Sequence, residues 1–146
     1  MTYLLDVNLL LALTDPMHVH HDVAHQWFSR TGRQSWSTCP ITENGFVRIA
    51  THPNYPNRPG DVHTVIAILH RFCSLDGHQF WADEVSLRNL FDVPDVAITY
   101  HHVTDLYLLG LAIQKGGKLA TLDQRIPASA IEGGPEALDV LRVACR

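Results

Sequence analysis

The sequence predicts an α/β sandwich built around a mainly parallel sheet. Short apolar runs of strand character alternate along the chain with stretches of helical periodicity, which is the pattern of βαβ units. Two of those runs, Tyr3-Leu4-Leu5 and Lys118-Leu119-Ala120-Thr121-Leu122, each end in an aspartate, Asp6 and Asp123. In open parallel sheets the carboxyl ends of strands face the ligand side, so both acids are expected on one edge. With 146 residues and 46% apolar content the chain has room for one sizeable core, and a single domain over residues 1–146 is expected.

Taken in order, the first strand is followed by a short helix over 8–14, stopped by Pro16, and a second over 20–29 with Val23 and Trp27 inward, closed by Gly32. A short strand spans 34–37. Pro40 then suits the first turn of a helix over 41–51, which His52-Pro53-Asn54-Tyr55-Pro56 cannot continue. Counting three, four and seven on from Glu43 gives Phe46, Val47 and Ala50, so this carboxylate shares the inward, apolar face of its helix.

Past a proline-rich loop, Asp61 caps the most clearly amphipathic helix, with Val62, Val65, Ile66, Leu69, Phe72 and Cys73 at helical spacing. A strand over 78–81 and a short helix over 86–91 come next, broken by Asp92-Val93-Pro94-Asp95. The apolar helix over 103–114 holds Thr104 and Asp105 in its first turn and ends at Lys115-Gly116-Gly117. The strand leading to Asp123 follows, and an edge strand over 138–144 closes the chain.

The net charge of −4 argues against binding nucleic acid through a bulk positive field, so a polyanionic partner would need local arginines or bound cations. Cys39, Cys73 and Cys145 have no C-x-x-C spacing, which suggests neither a disulfide framework nor a thiolate zinc site and fits a reducing, cytoplasmic setting. The apolar run over 7–13 lacks the basic leader of a signal peptide, and no stretch reaches the roughly 18 apolar residues of a spanning helix, so no membrane partner is expected.

Four acids carry the chemistry. Individually each has a plain structural reading: Asp6 or Asp123 as a helix cap, Asp105 as the complement of a helix dipole, Glu43 as a first-turn residue. Collectively they sit at strand ends and first helical turns, the positions that line the ligand edge of such a sheet. Carboxylates that converge need a compensating cation, and oxygen-only ligands favour Mg2+ or Mn2+ over zinc. Such a site suits in-line displacement at a phosphodiester.

The motifs Leu5-Asp6-Val7-Asn8, Thr42-Glu43-Asn44-Gly45-Phe46-Val47-Arg48-Ile49, Val103-Thr104-Asp105-Leu106-Tyr107-Leu108 and Ala120-Thr121-Leu122-Asp123 together resemble the PIN-domain ribonucleases. The resemblance is strongest to the VapC toxins of toxin-antitoxin pairs. It covers nearly the whole chain in order and spacing. It implies an α/β/α sandwich and an acidic pocket of Asp6, Glu43, Asp105 and Asp123 that binds Mg2+ or Mn2+, with Asp6 and Asp105 as direct ligands and Asn8, Thr104 and Thr121 in support. It also implies RNA cleavage by water, a VapB-like antitoxin and a homodimer. Many relatives carry a further acid just after the last aspartate; Gln124, Arg125 and Ile126 stand there, which leaves open whether the site holds two ions or one stable ion joined by a second with substrate.

Other readings remain beside this one. A protein that kept the fold and lost the chemistry would bind RNA or antitoxin without cleaving. Asp6-Val7-Asn8 is also similar to the start of haloacid dehalogenase-like phosphatases, although Asn8 stands where they carry a second aspartate. His21 and His25 have zinc-hydrolase spacing, but Asp22 replaces the expected glutamate, and a solvated helix face is the simpler reading. Among the arginines, Arg125 beside Asp123 is the candidate for a substrate phosphate, whereas Arg48 and Arg58 read as solvated charges.

Overall fold

Leu4 and Leu5 are both fully buried although consecutive residues of a strand point to opposite faces. That requires a strand covered on both sides. A computed structural model describes residues 1–91 and 93–142. In it, β1 (Tyr3–Leu5) is the central strand of a sheet completed by β2 (Trp36–Thr38), β3 (His78–Phe80), β4 (Lys118–Thr121) and β5 (Leu138–Val140). The order is β3-β2-β1-β4-β5, and every pairing is parallel. Tyr3, Leu4 and Leu5 lie opposite Lys118, Leu119 and Ala120, which brings Asp6 and the end of β4 to the same edge.

The helices are α1 (Val7–Thr14), α2 (His21–Arg30), α3 (Pro40–Ala50), α4 (Val62–Cys73), α5 (Val103–Gln114) and α6 (Gly134–Ala137). Leu5, Trp36 and Ala120 pack with α1 to α4, whereas Leu4 and Leu119 pack with α5 and α6. The alternation of the strands thus divides the apolar residues into two cores, and the architecture is the expected α/β/α sandwich. Both α1 and α5 are apolar almost all round. Leu9, Leu10 and Leu11, and likewise Leu106, Leu108, Leu109 and Leu111, are buried, and each such side chain contributes about 1.5–3 kcal/mol.

Local chemistry sets the ends. Asp61 accepts from the Thr64 amide at 2.9 Å to start α4, and Pro40 occupies the first turn of α3. At the end of α5, Gly116 adopts φ 69°, and the amides of Gly116 and Gly117 donate back to the carbonyls of Ile113 and Ala112. This Schellman turn feeds the chain directly into β4.

Three expectations shift. The segment expected as a helix over 86–91 forms a single 3-10 turn, Leu87–Asn89, because so short a stretch cannot repay helix nucleation. On α4, Val65 and Leu69 are buried, but Val62 and Ile66 are each 48% exposed, so the amphipathic stripe is wider than the contact it makes. The last strand is at the edge as expected and ends at Val140; residues 143–144 of the expected strand lie outside the described residues. Among the described residues, no helix is long and apolar enough to cross a membrane.

Candidate active site

From β1 the sheet is extended one way to β2 and β3, and then the chain returns to the other side of β1 for β4 and β5. The strand order therefore reverses between β1 and β4. A crevice opens at the carboxyl ends of such a pair, and this is where the acids lie.

Asp6 is the residue that leaves β1 and caps α1. Only 5% of it is exposed. Its Oδ1 accepts from the Val7 amide at 2.8 Å, and its Oδ2 accepts from the Thr121 hydroxyl at 2.7 Å. Thr121 in turn accepts from the Asp123 amide at 3.0 Å, and Asn8 Oδ1 accepts from the Leu122 amide at 3.4 Å. The ends of β1 and β4 are thus tied together by the polar residues that surround the acids. Even so, burial, reinforced by the Asp123 charge, raises the Asp6 carboxyl above the usual carboxylate range.

Asp105 reaches the same place from the first turn of α5. Its pKa is raised to about 7, chiefly by burial and further by the charges of Asp6 and Asp123. Three aspartates from three separate elements therefore feel one another. Among the described residues, these three carboxylates do not bring one oxygen each within 4.8 Å of the other two. The ion pair found among the described residues, Lys115 with Glu84, involves none of them.

Two concave surfaces flank this cluster. One is lined by Asp6, Asn44, Arg48, Thr104 and Asp105, between α3 and the start of α5. The other is lined by Asn8, His18, His20, Asp123, Gln124 and Arg125. Arg125 was expected here, whereas Arg48 was read as a solvated charge. Arg48 is exposed, yet it stands on the edge of the cluster because Pro40, Ile41, Asn44, Gly45 and Arg48 form one face of α3. His18 and His20 lie before α2 and had no signal in their own spacing. His21 donates from Nδ1 to the Ala12 carbonyl at 2.7 Å, which ties the start of α2 to α1.

Glu43 departs from the expected convergence. It does lie on the inward face of α3, but that face meets α4 and β3. Its Oε2 accepts from the Thr38 hydroxyl at 2.7 Å, and the Thr38 oxygen is 2.7 Å from His78 Nε2. A hydroxyl has one proton to give, so with that proton on Glu43 the imidazole must be the donor to Thr38.

The chain is 41% identical over 139 residues to ribonuclease VapC39 of Mycobacterium tuberculosis, covering 94% of this chain and 100% of that protein. The chain belongs to the VapC ribonuclease family. Ribonuclease VapC44 of the same organism is 40% identical over 134 residues, covering 91% of this chain and 94% of that protein. No protein-family model matches the chain. In fold it is similar to the crystal structure of VapBC2 from Rickettsia felis bound to a DNA fragment from their promoter. That similarity has a TM-score of 0.62 at 11% identity and covers 97% and 100% of the two chains. It is also similar to M. tuberculosis VapC20, a Sarcin-Ricin loop cleaving toxin, with a TM-score of 0.60 at 12% identity over 88% and 95%. This VapC-family chain therefore has the fold of the PIN-domain toxins, and the family match runs the full length of VapC39 rather than resting on one motif.

Proposed function

We propose that this VapC-family protein is the ribonuclease toxin of a toxin-antitoxin pair and hydrolyses RNA phosphodiesters with Mg2+ or Mn2+ held by Asp6, Asp105 and Asp123. The observation that carries this reading is the meeting of Asp6, Asp105 and Asp123 where strand order reverses, with Asp6 and Asp105 raised by burial and further by neighbouring aspartate charge. Three acids that face one crevice, with no ion-pair partner among the described residues, are a net cost to the fold, and a hard divalent ion is what oxygen-only donors of this kind accept. When bound, such an ion supplies Lewis acidity at a phosphoryl oxygen and lowers the pKa of the attacking water.

The protein's own part is to position. Thr121 and the Val7 amide fix both oxygens of Asp6, while Asn8 holds the Leu122 amide and with it the turn that carries Asp123. Thr104 stands beside Asp105 on the wall of the groove. Arg48 on one flank and Arg125 on the other are the cations that receive phosphates of a strand crossing the acids, since guanidinium forks match phosphate oxygens. Glu43, hydrogen-bonded to Thr38, stands outside this ligand set. The water route leaves a 5′-phosphate on the product and makes the 2′-hydroxyl a bystander.

The partners in this reading are RNA, a VapB-like antitoxin and a second copy of the chain, in a cytoplasmic setting consistent with free Cys39 and Cys73. The half-exposed Val62 and Ile66 on α4 offer apolar area for a protein contact. The test is to map RNA ends across total RNA after induced expression. The wild type should create new 5′-phosphate ends that Asp105→Asn does not, and the purified protein should lose cleavage in EDTA. Undiminished cleavage in EDTA overturns the reading.

A further inference from the structure

Glu43, Cys73 and His78 come from α3, the last residue of α4 and the first of β3, and each offers one donor atom within 4.8 Å of the other two. We propose that they form a second cation site, separate from the aspartates, that takes a borderline divalent ion of the zinc class. One thiolate, one imidazole and one carboxylate is a donor set suited to Zn2+, whereas Mg2+ avoids sulfur and nitrogen. The inference goes beyond the ribonuclease reading and does not depend on it.

The three side chains are already held toward one another. The His78 ring packs on Trp36 with centroids 4.7 Å apart, and Trp36 packs on Phe72, the neighbour of Cys73, at 4.8 Å. The Thr38 hydroxyl donates to Glu43 and receives His78, so it stands among the donors and remains as a polar neighbour that orients two of them when an ion is bound. All three donors are half-buried, which limits competition from water. The Thr38 hydroxyl also lies against the Cys73 thiol, so all three donors converge on one side chain. Burial and the Glu43 charge push the Cys73 thiol up to about 11, so ion binding releases that proton to solvent as the metal–sulfur bond forms. The filled site would clamp α3 to α4 and to the sheet edge, behind the α3 face that bears Arg48.

Co2+ added to the full chain, stripped of metal by chelation, provides the test. The expected result is a thiolate-to-cobalt charge-transfer band with the intense visible bands of four-coordinate cobalt, saturating at one equivalent and bleached by Zn2+. The spectrum should persist in excess Mg2+ and in Asp105→Asn, which separates this site from the aspartates without any RNA present. Cys73→Ser should abolish the charge-transfer band, and His78→Gln should weaken cobalt binding by about tenfold or more. Absence of the band in the wild type overturns the proposal, and so does a band that survives in folded Cys73→Ser. Should Cys73→Ser fail to fold by circular dichroism, the decision passes to His78→Gln, where unaltered cobalt affinity overturns the proposal.

Discussion

Thr121 donates its hydroxyl proton to Asp6 at 2.7 Å across 115 positions of sequence, and both residues are buried. This bond ties together the ends of the two strands at which the sheet reverses its order. It also partly offsets the burial that raises the Asp6 pKa, because a donor to a carboxylate favours the charged form.

Thr121→Val keeps the shape of the side chain and removes the donor. The Asp6 oxygen is then left buried without that partner, and the Asp123 amide loses its acceptor as well. The expected loss is about 1–3 kcal/mol of unfolding free energy, read as a lower urea midpoint at unchanged slope. Mg2+ should bind more weakly to this variant. A midpoint equal to the wild type would mean that the bond does not hold the site.

The pH dependence of the metal-free protein has a definite sign. Folded Asp105 has a pKa of about 7 against 3.8 for the unperturbed group, and Asp6 is raised in the same direction, so the folded state holds protons that the unfolded chain releases. Their contribution to stability is complete below the unfolded value and is lost as pH rises through the folded one. Melting temperature in EDTA should therefore fall between about pH 4 and about pH 7, the window set by the unfolded and folded values of Asp105. Asp105→Asn should flatten that fall and raise the melting point at the alkaline end by about 2–4 °C, the shift that roughly 1 kcal/mol gives a domain of this size, a figure kept low because Asp105 is half-exposed. Added Mg2+ should stabilise the wild type more at the alkaline end, where its ligands are ionised.

Much of this site could be read along the chain because strand ends advertise themselves. Asp6 and Asp123 follow apolar runs that could only be core strands, and Asp105 follows a helix start marked by Val103-Thr104. Glu43 shows where that reading stops. Helical counting correctly turned it inward, but which neighbour waits there depends on β3 lying beside β2, and sheet order is not written in periodicity. For the same reason Arg48 looked idle: a residue off the apolar stripe is solvated unless another element, here the first turn of α5, builds a groove against it. The 3-10 turn at Leu87–Asn89 was beyond the pattern because Ser86 caps the Arg88 amide just as it would for a full helix, and nothing in the spacing marks how soon the turn stops.

Arg48→Ala and Arg125→Ala test the path of the strand. Both residues are exposed and lie on opposite flanks of the acids, so neither substitution should change the melting point measurably. Each should weaken RNA binding, measured with cleavage blocked by Asp105→Asn, and should reduce the slope of log affinity against log salt by about 0.7, as expected for one phosphate contact on a single strand. The double variant should lose about twice that slope. An unchanged slope for either arginine would remove that flank from the path.

Gly45 lies where α3 crosses α1, and a Cβ built there falls 2.8 Å from Val7 Cγ2. Val7 follows Asp6 directly, and its branched side chain has little rotamer freedom in a helix, so the overlap must be relieved by moving backbone. Gly45→Ala gains about 1 kcal/mol of helix propensity and loses about 1–3 kcal/mol to overpacking. The balance should be a modest net destabilisation. Because the movement passes through Val7 to the acid beside it, metal affinity and cleavage should fall more than stability does. Gly116→Ala supplies the contrast: it meets nothing within 4 Å, but its φ of 69° strains any larger residue, so stability should drop while metal binding stays intact. If Gly45→Ala proved as active as the wild type, the contact between α3 and α1 would be too slack to govern the position of Asp6.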